Sequence, residues 1–341
     1  MKIDAALPFE DEHLRNIPAI ARAADQVGFA GLWAVETKHN GFFPLLLAAE
    51  HSERIELGTA VAIAFPRSPM VTAQIAWDLQ SFSRGRFILG LGTQVRAHIE
   101  RRYGMAWEAP AAKLGDYIQA LRAIWQSWQT GAKLDYHGAF YEHSLMTPFF
   151  NPGPIQHPHI PIYIAGVNER LARLAGETCE GFHVHPFHSV KYIREIIQPQ
   201  IAAGAASAGR LPANIVLASS VFVISGPDEA ALQSSRAFAR QQIAFYASTP
   251  TYRVVLACHG WQAIGEQLSQ LAKRRHWEAM PALISDEMLD VFAVEAPLER
   301  LGQALRERYD GVLDRVASYI PYQPGQHDES WASIVATAQT S

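Results

Sequence analysis

The chain is poor in cysteine: Cys179 and Cys258 are the two it has in 341 residues, far apart and in no metal-ligand spacing. There is no material for a disulfide framework, and free thiols in a reducing compartment are expected. It also lacks any apolar run long enough to span a bilayer, and Met1 to Pro8 hold no apolar core of the kind a secretion signal needs. A cytoplasmic protein is expected. Nor is there an excess of positive charge. The 29 Lys and Arg against 33 Asp and Glu leave a formal charge of −4 with no basic stripe, so nucleic acid and anionic membrane are poor partners. Internal repeats and low-complexity linkers are absent too.

What is present is apolar material, 49% of the chain, in short runs separated by helical patterns. Strands are predicted over Lys2–Leu7, Gly31–Val35, Arg54 to Phe65, Arg86–Gly92, Pro161–Gly166, Gly181–Val184, Asn214–Ile224 and Leu313–Ile320. Helical spacing follows at His13–Val27, Leu45–Ser52, Val71–Phe82, Ala112–Trp128, Asn168–Glu177, Lys191–Ala206, Leu298–Tyr309 and Trp331–Thr340. Eight near-continuous apolar strands alternating with helices imply a parallel sheet covered on both faces, closed as a (β/α)8 TIM barrel. Residues 131–160, rich in Pro, Gly and aromatics with a hairpin around His137-Gly138, form an expected lid insertion after the fourth strand. Residues 228–290 form extra helices between strands seven and eight, Val294 to Pro297 are a turn, and 1–341 is expected as one domain.

Chemistry in such barrels gathers where strands end and helices begin. That directs attention to Pro8-Phe9, Glu36 to His39, Ala60 to Phe65, Thr93-Gln94, Val167-Asn168 and His183 to His188. In the third strand Gly58, Thr59 and Ala60 interrupt bulky neighbours, a pattern that marks a bulge or the approach of something flat. Gly90-Leu91-Gly92-Thr93-Gln94-Val95 lacks the third glycine of a dinucleotide fingerprint and follows the fourth strand, which argues against a Rossmann site. Its glycines instead suggest a barrel interior narrowed for a ring system. His183 and His185 supply two metal-type ligands where three are needed, so they are read as lining a substrate, with no metal site. Glu36 and His39 could form an acid/base pair, or lie in a solvated loop with a salt link to Lys38. Gly166-Val167-Asn168, at a strand-to-helix junction, could hold a phosphate through helix N-terminal amides.

Gly58-Thr59-Ala60-Val61 with Pro66-Arg67-Ser68-Pro69, Gly85 to Thr93, and Pro161 to Gly166 before a helix together resemble the bacterial luciferase-like superfamily. Glu36-Thr37-Lys38-His39 and Phe65 to Thr72 narrow the likeness to its deazaflavin-dependent oxidoreductases, in a branch of undefined substrates. The likeness runs from Ile3 to Tyr322.

The resemblance implies coenzyme F420 as cofactor, its ring lying against a bulge in the third strand with a non-prolyl cis peptide at Ala60–Val61. Trp33, Gly58, Thr59, Ala60, Val61, Thr93 and Gln94 would then face the ring, and Gly166, Val167 and Asn168 the tail phosphate. Glu36 or His39 would handle the proton, with His183, His185 and Phe65 on the substrate side and Trp33 packed below the ring. Sugar-phosphate dehydrogenases of the family carry Gly-Thr-Gly-Glu where this chain has Gly92-Thr93-Gln94-Val95, which argues against glucose 6-phosphate oxidation. A small-molecule substrate and a homodimer are expected. The alternatives are an FMN-dependent two-component monooxygenase, a non-catalytic flavin- or deazaflavin-binding protein and a metal-dependent hydrolase.

Overall fold

In a computed structural model, describing residues 1–8 and 13–339, each buried apolar run forms a strand and each periodic segment a helix. The barrel strands are β1 (Lys2–Ala6), β2 (Gly31–Ala34), β3 (Glu56–Thr59, resuming at Ala62–Ile63), β4 (Phe87–Gly92), β5 (Ile162–Gly166), β6 (Gly181–Val184), β7 (Val216–Ile224) and β8 (Arg315–Ser318). All pair in parallel, and β7 joins both β6 and β8 while β8 joins β1, which closes the ring. Closure leaves no edge between β1 and β8. The expected TIM barrel is therefore the fold.

The intervening helices include α1 (His13–Val27), α2 (Phe42–Glu50), α3 (Pro69–Phe82), α4 (Arg96–Arg101), α5 (Pro110–Thr130) and α6 (Glu169–Thr178). Local chemistry sets their ends. Ser68 accepts from the Val71 amide, with Pro69 preformed for the first turn of α3. Gly28, at a φ of +92°, stops α1.

Several details depart from the sequence expectations. Helix α2 starts at Phe42 rather than Leu45, because Pro44 sits in its first turn, where a missing amide costs nothing. The segment expected as a turn near Val294 is a short strand, Ala293–Glu295, which adds to the outer side of β7. Helix α4, unforeseen, follows β4. Within residues 131–160, Tyr136 pairs with His143 and His137 with Glu142, so the hairpin turns at residues 138–141 rather than at His137-Gly138. Asp116 on α5 holds that turn, accepting from the Phe140 and Tyr141 amides at 2.6 and 3.0 Å. The last helix is Asp328–Gln339; Thr340 lies outside the described residues. No helix among the described residues is long and apolar enough to cross a membrane.

The N-terminal end of the barrel is sealed by charge. Arg315 grips Asp4 through two bonds of 2.8 Å and reaches Glu56 at 2.5 Å, while Trp33 donates to Asp4 at 2.8 Å. Both Arg315 and Asp4 are almost wholly buried. Burial alone would weaken the guanidinium's charge; Asp4 and Glu56 outweigh it and push its pKa far upward.

Candidate active site

The C-terminal end begins with the interruption in β3. Gly58 pairs with Ile88, and pairing resumes between Ala62 and Leu91, so β3 spends one residue more than β4 over the same span. That is a bulge. The Ala60–Val61 peptide within it is cis, at the position the resemblance indicates.

The small residues around the bulge are required by the protein's own packing. A Cβ on Gly58 would lie 2.2 Å from the Trp33 indole, its cross-strand neighbour. One on Gly90 would lie 1.8 Å from the Thr59 carbonyl, and one on Gly92 would lie 2.5 Å from Val61. Thr59 is fully buried, its hydroxyl donating to the Gly90 carbonyl at 2.6 Å and accepting from the Gly90 amide at 2.9 Å. Trp33, Gly58 and Thr59 therefore build the wall behind the bulge, buried against one another. Ala60 and Val61, half-buried between buried neighbours, are the part of the strand that can be approached.

Glu36, just past β2, does not pair with His39. One carboxylate oxygen accepts from the Ile63 amide at 2.6 Å and from Arg67 at 2.9 Å, and the other accepts from Arg67 as well. Arg67 also donates to the Ile63 carbonyl at 2.9 Å, so the pair clamps β3 where it resumes. Burial opposes the Arg67 charge, but the Glu36 contacts prevail and raise its pKa. His39 lies exposed at the mouth, on a small pocket with Leu7, Pro8, Val35 and Asn40. Phe9, also flagged from the sequence, falls outside the described residues.

Just past β4, the Thr93 side chain is nearly buried and donates to the Gln94 carbonyl at 3.1 Å; Gln94, at a φ of +58°, accepts from the Val95 amide through its own side chain. After β5, Asn168 caps α6 by accepting from Leu171 at 3.0 Å, and the Val167 carbonyl accepts from Tyr192. An anion at this helix start would share it with the Glu169 carboxylate.

Phe65 is buried edge-on to Trp107, with the Lys113 ammonium 5.5 Å from its ring. It supports the mouth from below its surface. His183 stands inside the barrel, 4.9 Å from the Trp33 ring and 5.3 Å from Tyr163, with Nε2 unpartnered. Burial, helped by Arg315, depresses its pKa to about 3. His185 stacks on Tyr252 at 4.3 Å and meets the edge of Tyr246 at 4.7 Å. Its pKa is also pushed down to about 3, by burial and then by His188. Because the Phe187 amide donates to Nδ1 at 3.1 Å, the neutral ring carries its proton on Nε2.

Arg67, Tyr246, Tyr252 and Tyr319 belong to this end of the barrel and were not picked from the sequence. Arg67 stood within a noted motif; the tyrosines sit in the helical insertion or just beyond β8. Among the described residues no three His, Cys, Asp or Glu converge as metal ligands.

Comparison with known proteins matches this organisation. The sequence pattern of the luciferase-like monooxygenases matches residues 1–315. The chain is 45% identical to the uncharacterized protein Rv1360 of Mycobacterium tuberculosis over 316 residues, 93% of this chain and 92% of that one. It is 27% identical to the 5,10-methylenetetrahydromethanopterin reductase of Methanolobus tindarius, covering 91% and 92%. The coenzyme F420-dependent tetrahydromethanopterin reductase of Methanopyrus kandleri shares the fold, with a TM-score of 0.77 at 21% identity over 98% and 96% of the two chains. Matched from its first residue to the start of β8, the chain belongs to the luciferase-like monooxygenase family, in which its homologues include F420-dependent oxidoreductases.

Proposed function

We propose that this protein is a coenzyme F420-dependent oxidoreductase acting on a small organic substrate. The observation that carries the proposal is the accessible bulge: Ala60 and Val61 alone open a strand whose other residues from Leu57 to Phe65 are buried. A flat ring fits against that face, with Trp33 packed behind Ala60. Thr93 and Gln94 would hold the ring's edge, and Gly166, Val167 and Asn168 the tail. When bound, the deazaflavin supplies hydride transfer at its C5.

The chain's own residues divide the remaining work. Both oxygens of Glu36 are taken by donors, so its role is to hold Arg67 and fix the bulge. His39, exposed at the mouth, takes or gives the accompanying proton. His185, neutral and protonated on Nε2, offers a donor to a substrate oxygen from the β6 side.

Absorbance titration with F420 and with FMN tests this. Tight F420 binding with weak FMN binding is expected; FMN preference together with oxygen-dependent turnover would establish a two-component monooxygenase instead. In turnover, His39→Gln lowers kcat about 100-fold at unchanged cofactor affinity. Glu36→Gln chiefly weakens cofactor binding, about tenfold if the loss is that of one charge-assisted hydrogen bond. Neither variant changing any rate while binding persists would mark a non-catalytic binding protein.

A further inference from the structure

The wall formed after β6, β7 and β8 is built of rings that carry no charge. His185 follows β6 and Tyr319 follows β8; Tyr246 closes helix Glu229–Ala247 and Tyr252 the turn Pro250–Tyr252, both in the insertion after β7. All four are half-buried, so each keeps some open surface. Strand β7 stands four places around the ring from β3, which sets this wall across the mouth from the Ala60–Val61 bulge. Its hydrogen bonds can be followed atom by atom. Tyr319 donates to Gln242 Oε1 at 3.1 Å, so in its 2.7 Å contact with Tyr246 it accepts, and the Tyr246 hydrogen is spent. The Phe187 amide holds Nδ1 of His185, which leaves the hydrogen on Nε2. That Nε2–H and the Tyr252 hydroxyl have no partner among the described residues. The wall therefore offers two neutral donors.

Given a deazaflavin against the bulge, as proposed above, we infer that the part of the substrate lying between ring and wall is uncharged: a ketone, an alcohol or a like oxygen function on an apolar frame, and not a phosphate or carboxylate. A neutral oxygen accepts from such donors without needing a counter-charge. The cations of the surrounding elements are engaged elsewhere. Lys191 donates to the Cys258 carbonyl at 2.8 Å, Arg253 to Ser269 at 3.2 Å, and Arg308 to the Asp290 and Ala293 carbonyls at 2.7 Å. Arg240 pairs with Asp286, and Arg315 is sealed at the far end of the barrel. An anion on the wall would give up water and meet no opposite charge. A cation would be met by the hydrogens of the two donors. The pKa directions agree: burial, and after it His188, keeps His185 neutral. Burial raises all three phenols, and what else acts on them is one another.

Nitrogen NMR of the full chain with isotope-labelled histidine tests this at His185, whose signals are identified by their loss in His185→Gln. Acetophenone, benzoate and phenyltrimethylammonium share one ring and differ in charge. Each is titrated with and without F420, whose own binding is followed by its absorbance. Acetophenone is expected to shift the Nε2 signal saturably, with both ions at least about tenfold weaker. Tyr252→Arg keeps a flat group stacked on the imidazole and adds a charge, so benzoate should gain about tenfold in affinity. Should thermal melts show that variant unfolded, the three ligands on the unaltered chain decide. Benzoate or the ammonium ion binding as well as acetophenone overturns the assignment, and so does acetophenone leaving Nε2 unmoved in both titrations. If F420 fails to bind while acetophenone still shifts Nε2 and the ions do not, the cofactor reading falls and the neutral wall stands.

Discussion

Two carboxylate–arginine pairs stand at opposite ends of the barrel, and they differ in what surrounds them. Asp4–Arg315 is sealed, with side chains 2% and 3% exposed; Trp33 donates to it from within the barrel, and Glu56, 34% exposed, links it to the rim. Glu36–Arg67 is more open, at 9% and 17%, and holds a backbone amide whose strand leads to the accessible bulge. The same chemistry thus closes one end and shapes the other. A buried pair adds little to stability by itself but is costly to break, because the surviving charge has nowhere to go.

The sharpest way to break the comparison is Arg315→Met. Asp4 is left buried and uncompensated, and about 3–5 kcal/mol of stability should vanish from the urea unfolding curve. Acid comes next and strikes the open half first. His183, His185 and His188 are held by burial at about 3, 3 and 4, against 6.5 in the unfolded chain. Their stabilising effect is complete above pH 6.5 and is lost as pH falls toward 4, because the unfolded chain takes up those protons first. The urea midpoint should therefore decline between pH 6.5 and 5, and His185→Gln should flatten that decline. Arg67→Met should cost less than Arg315→Met, about 1–2 kcal/mol, since solvent reaches Glu36 and the Ile63 amide still serves it. Lys2→Ala, removing a largely exposed partner of Glu56, should cost no more than about 0.5 kcal/mol. If Arg67→Met proved as damaging as Arg315→Met, the contrast between the ends would fail.

The barrel was legible because its strands are fully buried and read as unbroken apolar runs, Phe87 to Gly92 most plainly. Its site was legible in location only. The gap at Gly58 was visible, but its filling by Trp33 depends on cross-strand register, which no local pattern encodes. Glu36 and His39, three residues apart, looked like partners; the true partner, Arg67, lies 31 residues on and is delivered by closure of the β3 to α3 turn.

The sealing pair also has a consequence for biosynthesis. It joins Asp4 in β1 to Arg315 in β8, 311 residues further on, and the acceptor for the Trp33 indole is the same Asp4 carboxylate. A nascent chain still tethered to the ribosome has all but the last stave of its barrel and an unmatched anion at the seam. Such intermediates expose strand edges that invite aggregation, and delivery of Arg315 both pairs the last open edges and neutralises Asp4.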